Sequence, residues 1–242
     1  MSQLVLKMIA AFTMLIDHAG IILFPQCTVF RMIGRLAFPI YAYCIAEGFF
    51  YTRSRLKYFL RLFILGAICQ LVYDIVERDI YLGILITFSL SVILMFLTNS
   101  AQSAFAGERS SLSTIIGRII RREIPIIADK IISFVALMLG ITAVYALCYY
   151  VDVDYGFLGV MLPVFTNLFP DKIRRFFMFT AGLIALCIYN AYFGGTLQML
   201  SLLTVPLIAM YNGKSGKVRL KYFFYIFYPA HLVILYLIDA II

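Results

Sequence analysis

The chain is predicted to fold as an all-α, polytopic transmembrane helix bundle. Three observations predict it. Hydrophobic residues make up 64% of the 242 positions and the mean hydropathy is +0.99, well above the roughly half-apolar composition of soluble domains. Apolar stretches of membrane-spanning length follow one another along the chain with short polar breaks. The basic residues also sort onto one side of the resulting zigzag, as lysine and arginine do in cytoplasmic loops.

Nine stretches qualify as spans: 4–24, 30–50, 57–76, 81–98, 131–150, 156–169, 173–190, 195–211 and 221–241. The first is too long for a signal peptide, carries Asp17 and His18 and lacks a small-residue cleavage site, so it is kept as a span. The sixth is the weakest, being short and interrupted by Pro163; if it is re-entrant the count falls to eight. With the N-terminus in the cytoplasm, 17 of the 20 basic residues face inward, from Lys7 to the closing group Lys214, Lys217, Arg219 and Lys221. Arg31, Arg35 and Arg78 fall toward the outside, where Asp74, Glu77, Asp79, Asp152, Asp154 and Asp239 gather. That sorting favours nine spans, N-in and C-out, in a plasma or inner membrane.

No linker or low-complexity tract divides the chain, and residues 1–242 read as one integral-membrane domain. The longest connection, 99–130, is expected on the cytoplasmic side. It is polar at first, then amphipathic and basic over 115–124 (IIGRIIRREI), a composition suited to the membrane surface. The net charge of +8 is accounted for by topology, and nothing resembles a nucleic-acid module. The five cysteines, Cys27, Cys44, Cys69, Cys148 and Cys187, are scattered without a CxxC, so neither a disulfide framework nor a metal site follows.

Against this apolar background, polar groups at membrane depth stand out, because each is costly unless it faces a bundle interior or cavity. His18 lies roughly 16 Å above Lys7 and His231 roughly 15 Å above Lys221, counting about 1.5 Å per residue. Both helices run outward, so the two histidines share a level. Arg35 sits somewhat nearer the outside. Arg31 and Arg35 share a face at i,i+4 spacing. Asp17 and His18, being adjacent, point about 100° apart, and each needs a partner on another helix; Arg35 is the simplest partner for Asp17. Glu47, near the inner end of the second span, is expected to pair with Arg61 across a short hairpin as a structural ion pair. Pro229 is expected to kink the last helix and free backbone groups beside His231. The run YFFYIFYPAH at 222–231 is expected to serve mainly packing and interface anchoring.

The segments LKMIAAFTMLIDH at 6–18, RMIGRLAFPIYAYCIAEGFFYTRSRLKYFLRL at 31–62 and LKYFFYIFYPAHLVILYL at 220–237 resemble the TraX family. The ordered combination of DH, GRLAFPIYA, EGF-YTR and FYPAH carries that resemblance, over some 80 residues at both ends. TraX proteins acetylate the amino terminus of the pilin subunit of conjugative pili, and are akin to larger membrane acyltransferases that modify surface glycans. The resemblance implies transfer of an acetyl group from cytoplasmic acetyl-CoA, as co-substrate, to an acceptor across the membrane. The acceptor itself, a pilin-like amino terminus or an envelope glycan, stays open. His18 is the candidate general base, with His231 as alternative base or oxyanion donor, and Asp17 and Arg35 complete the catalytic set. Arg53, Arg55, Lys57 and Arg61 are candidates to hold the coenzyme phosphates, joined by Glu47 and Tyr228, with Arg118, Arg121 and Arg122 as a second basic group. A covalent cysteine route is disfavoured, because no cysteine has a histidine or basic neighbour. A proton-coupled transporter or flippase is the rival class, since midmembrane Asp, His and Arg also build relays.

Overall fold

A computed structural model of the chain describes residues 1–77, 81–193, 195–216 and 221–241. Of the residues used in the charge sorting, Arg78, Asp79, Lys217 and Arg219 lie outside that set. The described residues are overwhelmingly α-helical, as the composition requires: in an apolar phase a backbone satisfies its own polar groups most simply as a helix.

Two compact units emerge, one of residues 1–45 with 171–242 and one of residues 46–170. The first unit opens with α1 (Gln3–Ile22), whose first turn is capped by the Ser2 hydroxyl accepting from the Val5 N–H. A short turn leads into α2 (Thr28–Gly34), packed on α1 through two glycines. A β-carbon on Gly20 would overlap Phe30, and one on Gly34 would overlap the Asp17 side chain. Then comes α3 (Ala37–Tyr51), within which the division between the units falls. The unit is completed by α9 (Lys172–Phe193), a 3₁₀ segment (Thr196–Leu203), α10 (Thr204–Ala209) and α11 (Lys221–Asp239). Its core joins Tyr43 edge-on to the rings of Phe179 and Tyr211.

The second unit contains α4 (Arg55–Glu77), α5 (Ile84–Phe105), α6 (Ser111–Ile120), α7 (Ile126–Tyr150) and α8 (Gly156–Thr166). A two-residue parallel pairing of β1 (Tyr81–Leu82) with β2 (Asp152–Val153) ties its loops. Hydroxyls stitch α5 to the chain around α8: Ser91 donates to the Val160 carbonyl at 2.7 Å and Thr87 to the Asp154 carbonyl at 3.1 Å. The flank of α7 instead leaves Ile131, Phe134, Val135, Met138 and Leu139 exposed, a contiguous apolar surface that only lipid or another apolar partner would cover.

Among the described residues five helical stretches are long and apolar enough to cross a membrane: Gln3–Ile22, Thr28–Tyr51 (α2 and α3 taken together across their turn), Ile84–Phe105, Ile126–Tyr150 and Lys172–Phe193. This differs from the nine expected spans in instructive places. The stretch 156–169 forms the 11-residue α8 with Pro163 inside it, roughly 16 Å of helix against a bilayer core of about 30 Å. The stretch 195–211 splits into the 3₁₀ segment and the six-residue α10. The expected loop 99–130 is mostly helix, because α5 continues to Phe105, α6 follows and α7 already begins at Ile126. Its amphipathic part is α6, with Ile115, Ile119 and Ile120 exposed and Ser113 buried against Asp129.

Candidate functional site

Within the first unit, α1 and α11 meet at the chain's two histidines. Their ring centroids are 4.9 Å apart, and Nε2 of His231 stands 3.1 Å from Nδ1 of His18. The equal depth inferred by counting along each helix therefore corresponds to direct contact. His231 is 3% exposed. Phe227 stacks on its ring at 5.1 Å, and Tyr228, one of the candidate coenzyme residues, approaches it edge-on at 5.8 Å. The aromatic run thus packs, as expected, and what it packs around is a histidine. Pro229 lies inside α11 between these rings and His231.

The acceptors around the two rings order their protons. Nδ1 of His231 lies 2.8 Å from the Phe227 carbonyl, which can only accept, so Nδ1 carries the hydrogen. In a neutral imidazole the other nitrogen is then an acceptor, and that nitrogen, Nε2, faces His18. Nδ1 of His18 must therefore be the donor across the pair. It also lies 3.0 Å from the Met14 carbonyl one turn back on α1, a second acceptor that holds the same hydrogen. The reverse arrangement would set a His18 lone pair against the Met14 oxygen. With both rings neutral, Nε2 of His18 is left with a bare lone pair and makes no hydrogen bond among the described residues.

The adjacent Asp17 points away from His18, as the helix requires, but its partner is not Arg35. Nη1 of Arg31 sits astride the carboxylate, 3.3 Å from each oxygen. The helix expected over 30–50 breaks after Gly34, where Leu36 N–H donates to the Ile33 carbonyl in a tight turn. Arg31 and Arg35 bond to different partners across that turn. Arg35 turns toward the 3₁₀ segment, and its Nη1 donates to Gln198 Oε1 at 3.4 Å. Gly34, the residue between these two commitments, presses directly on Asp17.

Gln198 was not singled out from the sequence, where it reads as one polar residue in an apolar run. Its backbone carbonyl accepts from the Ser201 hydroxyl at 2.7 Å and from the Cys187 thiol at 3.3 Å, so α9 and the 3₁₀ segment pin it. The Cys187 thiol also lies 3.3 Å from the Ser201 hydroxyl.

The basic hairpin belongs to the second unit. Arg53, Lys57 and Arg61 are exposed, whereas Arg55 is half-buried, its guanidinium 5.1 Å above the Phe49 ring and its Nη1 donating to the Ser111 hydroxyl at 3.4 Å. Glu47 is buried, at 3% exposure, while Arg61, its expected partner, is on the surface. In the second basic group, Arg118, Arg121 and Arg122 are all exposed at the end of α6. Among the described residues no cluster of three or more His, Cys, Asp or Glu could hold a metal ion.

Fold and site together define a helical membrane protein with a polar centre of two hydrogen-bonded histidines and an Asp–Arg pair. The family model described as "TraX protein" matches residues 2–239, and the chain belongs to the TraX family. It is similar to a protein described as "Probable fimbrial assembly protein FimC, serogroup H1" from Dichelobacter nodosus, at 27% identity over 95% of this chain and 92% of that one. A second similarity, to "Uncharacterized protein RP591" from Rickettsia prowazekii (strain Madrid E), is 36% over 78 residues, 32% of this chain and 29% of that one. No solved structure matches.

Proposed function

We propose that residues 1–242 form one membrane-embedded acyltransferase. It moves an acetyl group from cytoplasmic acetyl-CoA to an amine or hydroxyl on the far side of the plasma or inner membrane. The observation that carries this reading is the contact of His18 Nδ1 with His231 Nε2 and the Met14 carbonyl, from which an anchored Nδ1 and an open Nε2 follow for His18. An anchored imidazole with one open lone pair is the arrangement a general base needs.

His18 Nε2 takes the proton from the attacking amine or hydroxyl. His231 and the Met14 carbonyl hold the ring and its tautomer while that happens, the role a carboxylate or carbonyl plays behind other catalytic histidines. Arg35 donates to the oxygen on which negative charge builds, where a low dielectric makes a fixed donor valuable. The Asp17–Arg31 pair holds α1 against α2 and so sets the placement of His18, one residue further on. When bound, acetyl-CoA supplies the activated thioester. For its phosphates, Arg53, Arg55, Lys57 and Arg61 offer a suitable donor set, with Arg55 already immobilised over Phe49. Glu47 remains with that coenzyme-binding set, and Tyr228 stays a separate coenzyme candidate beside His231.

The distribution of Lys and Arg supports an N-terminus in the cytoplasm and a C-terminus outside, and hence delivery outward. The resemblance to a fimbrial assembly protein over nearly the whole chain favours a pilin-like acceptor over an envelope glycan. Thermal melting in detergent tests the donor. Acetyl-CoA that binds only the folded protein raises the midpoint in proportion to its saturation. A clear rise is expected; no shift at millimolar acetyl-CoA contradicts the acyltransferase and leaves a transporter as the better account.

A further inference from the structure

The buried hydrogen-bond donor atoms of the first unit that lack an acceptor among the described residues include Nε of Arg35 and Nε2 of Gln198. These two belong to one cluster, since Arg35 Nη1 donates to Gln198 Oε1. That bond has a directional consequence. An amide whose oxygen is turned to a guanidinium must turn its NH₂ away from it. The Gln198 side chain has little freedom to do otherwise, at 4% exposure and with its backbone fixed by Cys187 and Ser201. A buried amide N–H without an acceptor is costly, because it has given up water and gained nothing in return. A side chain pinned with its donor unfilled is therefore suited to receive an acceptor atom from a ligand. Arg35 carries the charge of this pair and Gln198 is neutral, so the matching atom is an oxygen with partial or growing negative charge.

We propose that Gln198 is a substrate-contacting residue, its Nε2 donating to the carbonyl oxygen of the acyl group being transferred. This rests on the acyl-transfer reading and adds to it a neutral donor for the substrate carbonyl. The role of Arg35 changes with it: besides meeting the substrate, it fixes which end of the Gln198 amide does so.

Two coenzyme A analogues test the assignment. One is the ketone in which a methylene replaces the thioester sulfur, which keeps the carbonyl and cannot transfer. The other is S-ethyl-CoA, which lacks the carbonyl. The wild-type protein in detergent is expected to bind the ketone about tenfold more tightly, the worth of one or two good hydrogen bonds. Gln198→Leu and Gln198→Glu are expected to bind S-ethyl-CoA as the wild type does and to lose the preference for the ketone. Gln198→Glu is the more telling variant, because it keeps the volume and the oxygen facing Arg35 while replacing the donor by an acceptor; should Gln198→Leu fail to fold, it decides alone. A wild-type preference that survives in Gln198→Glu overturns the proposal, as does its absence from the wild type. Failure of the wild type to bind either analogue overturns the acyl-CoA reading itself, and this inference with it.

Discussion

His231 accepts from His18: its Nε2 stands 3.1 Å from the Nδ1 of a residue 213 positions away, and its own Nδ1 is committed to the Phe227 carbonyl. The two imidazoles are thus unequal, one open to substrate and one supporting. His18→Ala is expected to lower acetyl transfer from labelled acetyl-CoA to membrane-vesicle acceptors by about 10²–10⁴-fold, the usual worth of a general base. His231→Ala is expected to cost less, about tenfold for one orienting hydrogen bond. Equal losses, or a larger one at His231, would reverse the assignment.

Asp17 is bound to Arg31 and Arg35 to Gln198, so coupling free energies should separate the two arginines. In double-mutant cycles on thermal stability, Asp17→Asn with Arg31→Gln is expected to show a coupling of about 1–3 kcal/mol. The same Asp17 change combined with Arg35→Gln is expected to couple more weakly. Coupling mainly to Arg35 would restore the pairing that the sequence spacing suggested.

Gly34 makes a prediction from space alone. A methyl group there falls on the Asp17 carboxylate, so α2 must shift or Asp17 must leave Arg31. Gly34→Ala is expected to destabilise by about 1–3 kcal/mol and to impair transfer together with stability. Unchanged melting and activity would show that the contact between α1 and α2 is looser than described.

The membrane class, most of the long helices and the polar centre were legible in the sequence, for reasons that explain what was not. A run of about 20 apolar residues advertises a helix by composition, and counting from Lys7 and Lys221 put His18 and His231 on one level. Facing information is what an all-apolar segment lacks. With hydrophobic residues on every side of 30–50, nothing marked the break after Gly34 that parts Arg31 from Arg35. The same uniformity hid the 3₁₀ winding of Thr196–Leu203 and the shortness of α8, although Pro163 hinted at the latter. Gln198 was the bulkiest polar side chain in its run, an amide among mostly apolar neighbours.

Around α6 the usual sidedness is inverted. Its polar side is buried, with Ser110 and Ser113 donating to Asp129 together with Ser133, while Ile115, Ile119 and Ile120 face outward. Asp129→Ala strips three hydroxyls and a backbone N–H of a charged acceptor and is expected to lower stability by about 2–4 kcal/mol in a detergent melt. Ile119→Ser is expected to leave the melt nearly unchanged. A fluorophore on Ile119→Cys should be quenched by lipid-borne quenchers, whereas quenching only from the aqueous phase would place α6 away from the bilayer.

The central claim, that His18 is the base of an outward acetyl transfer, is tested most directly by mass spectrometry of the cell envelope. Cells carrying the wild-type protein, the His18→Ala variant at matched membrane abundance, or neither would be compared. One envelope component heavier by a single acetyl group in wild-type cells alone is the expected result. An acetylated component equally abundant with His18→Ala, or no difference between wild-type cells and cells lacking the protein, would contradict it.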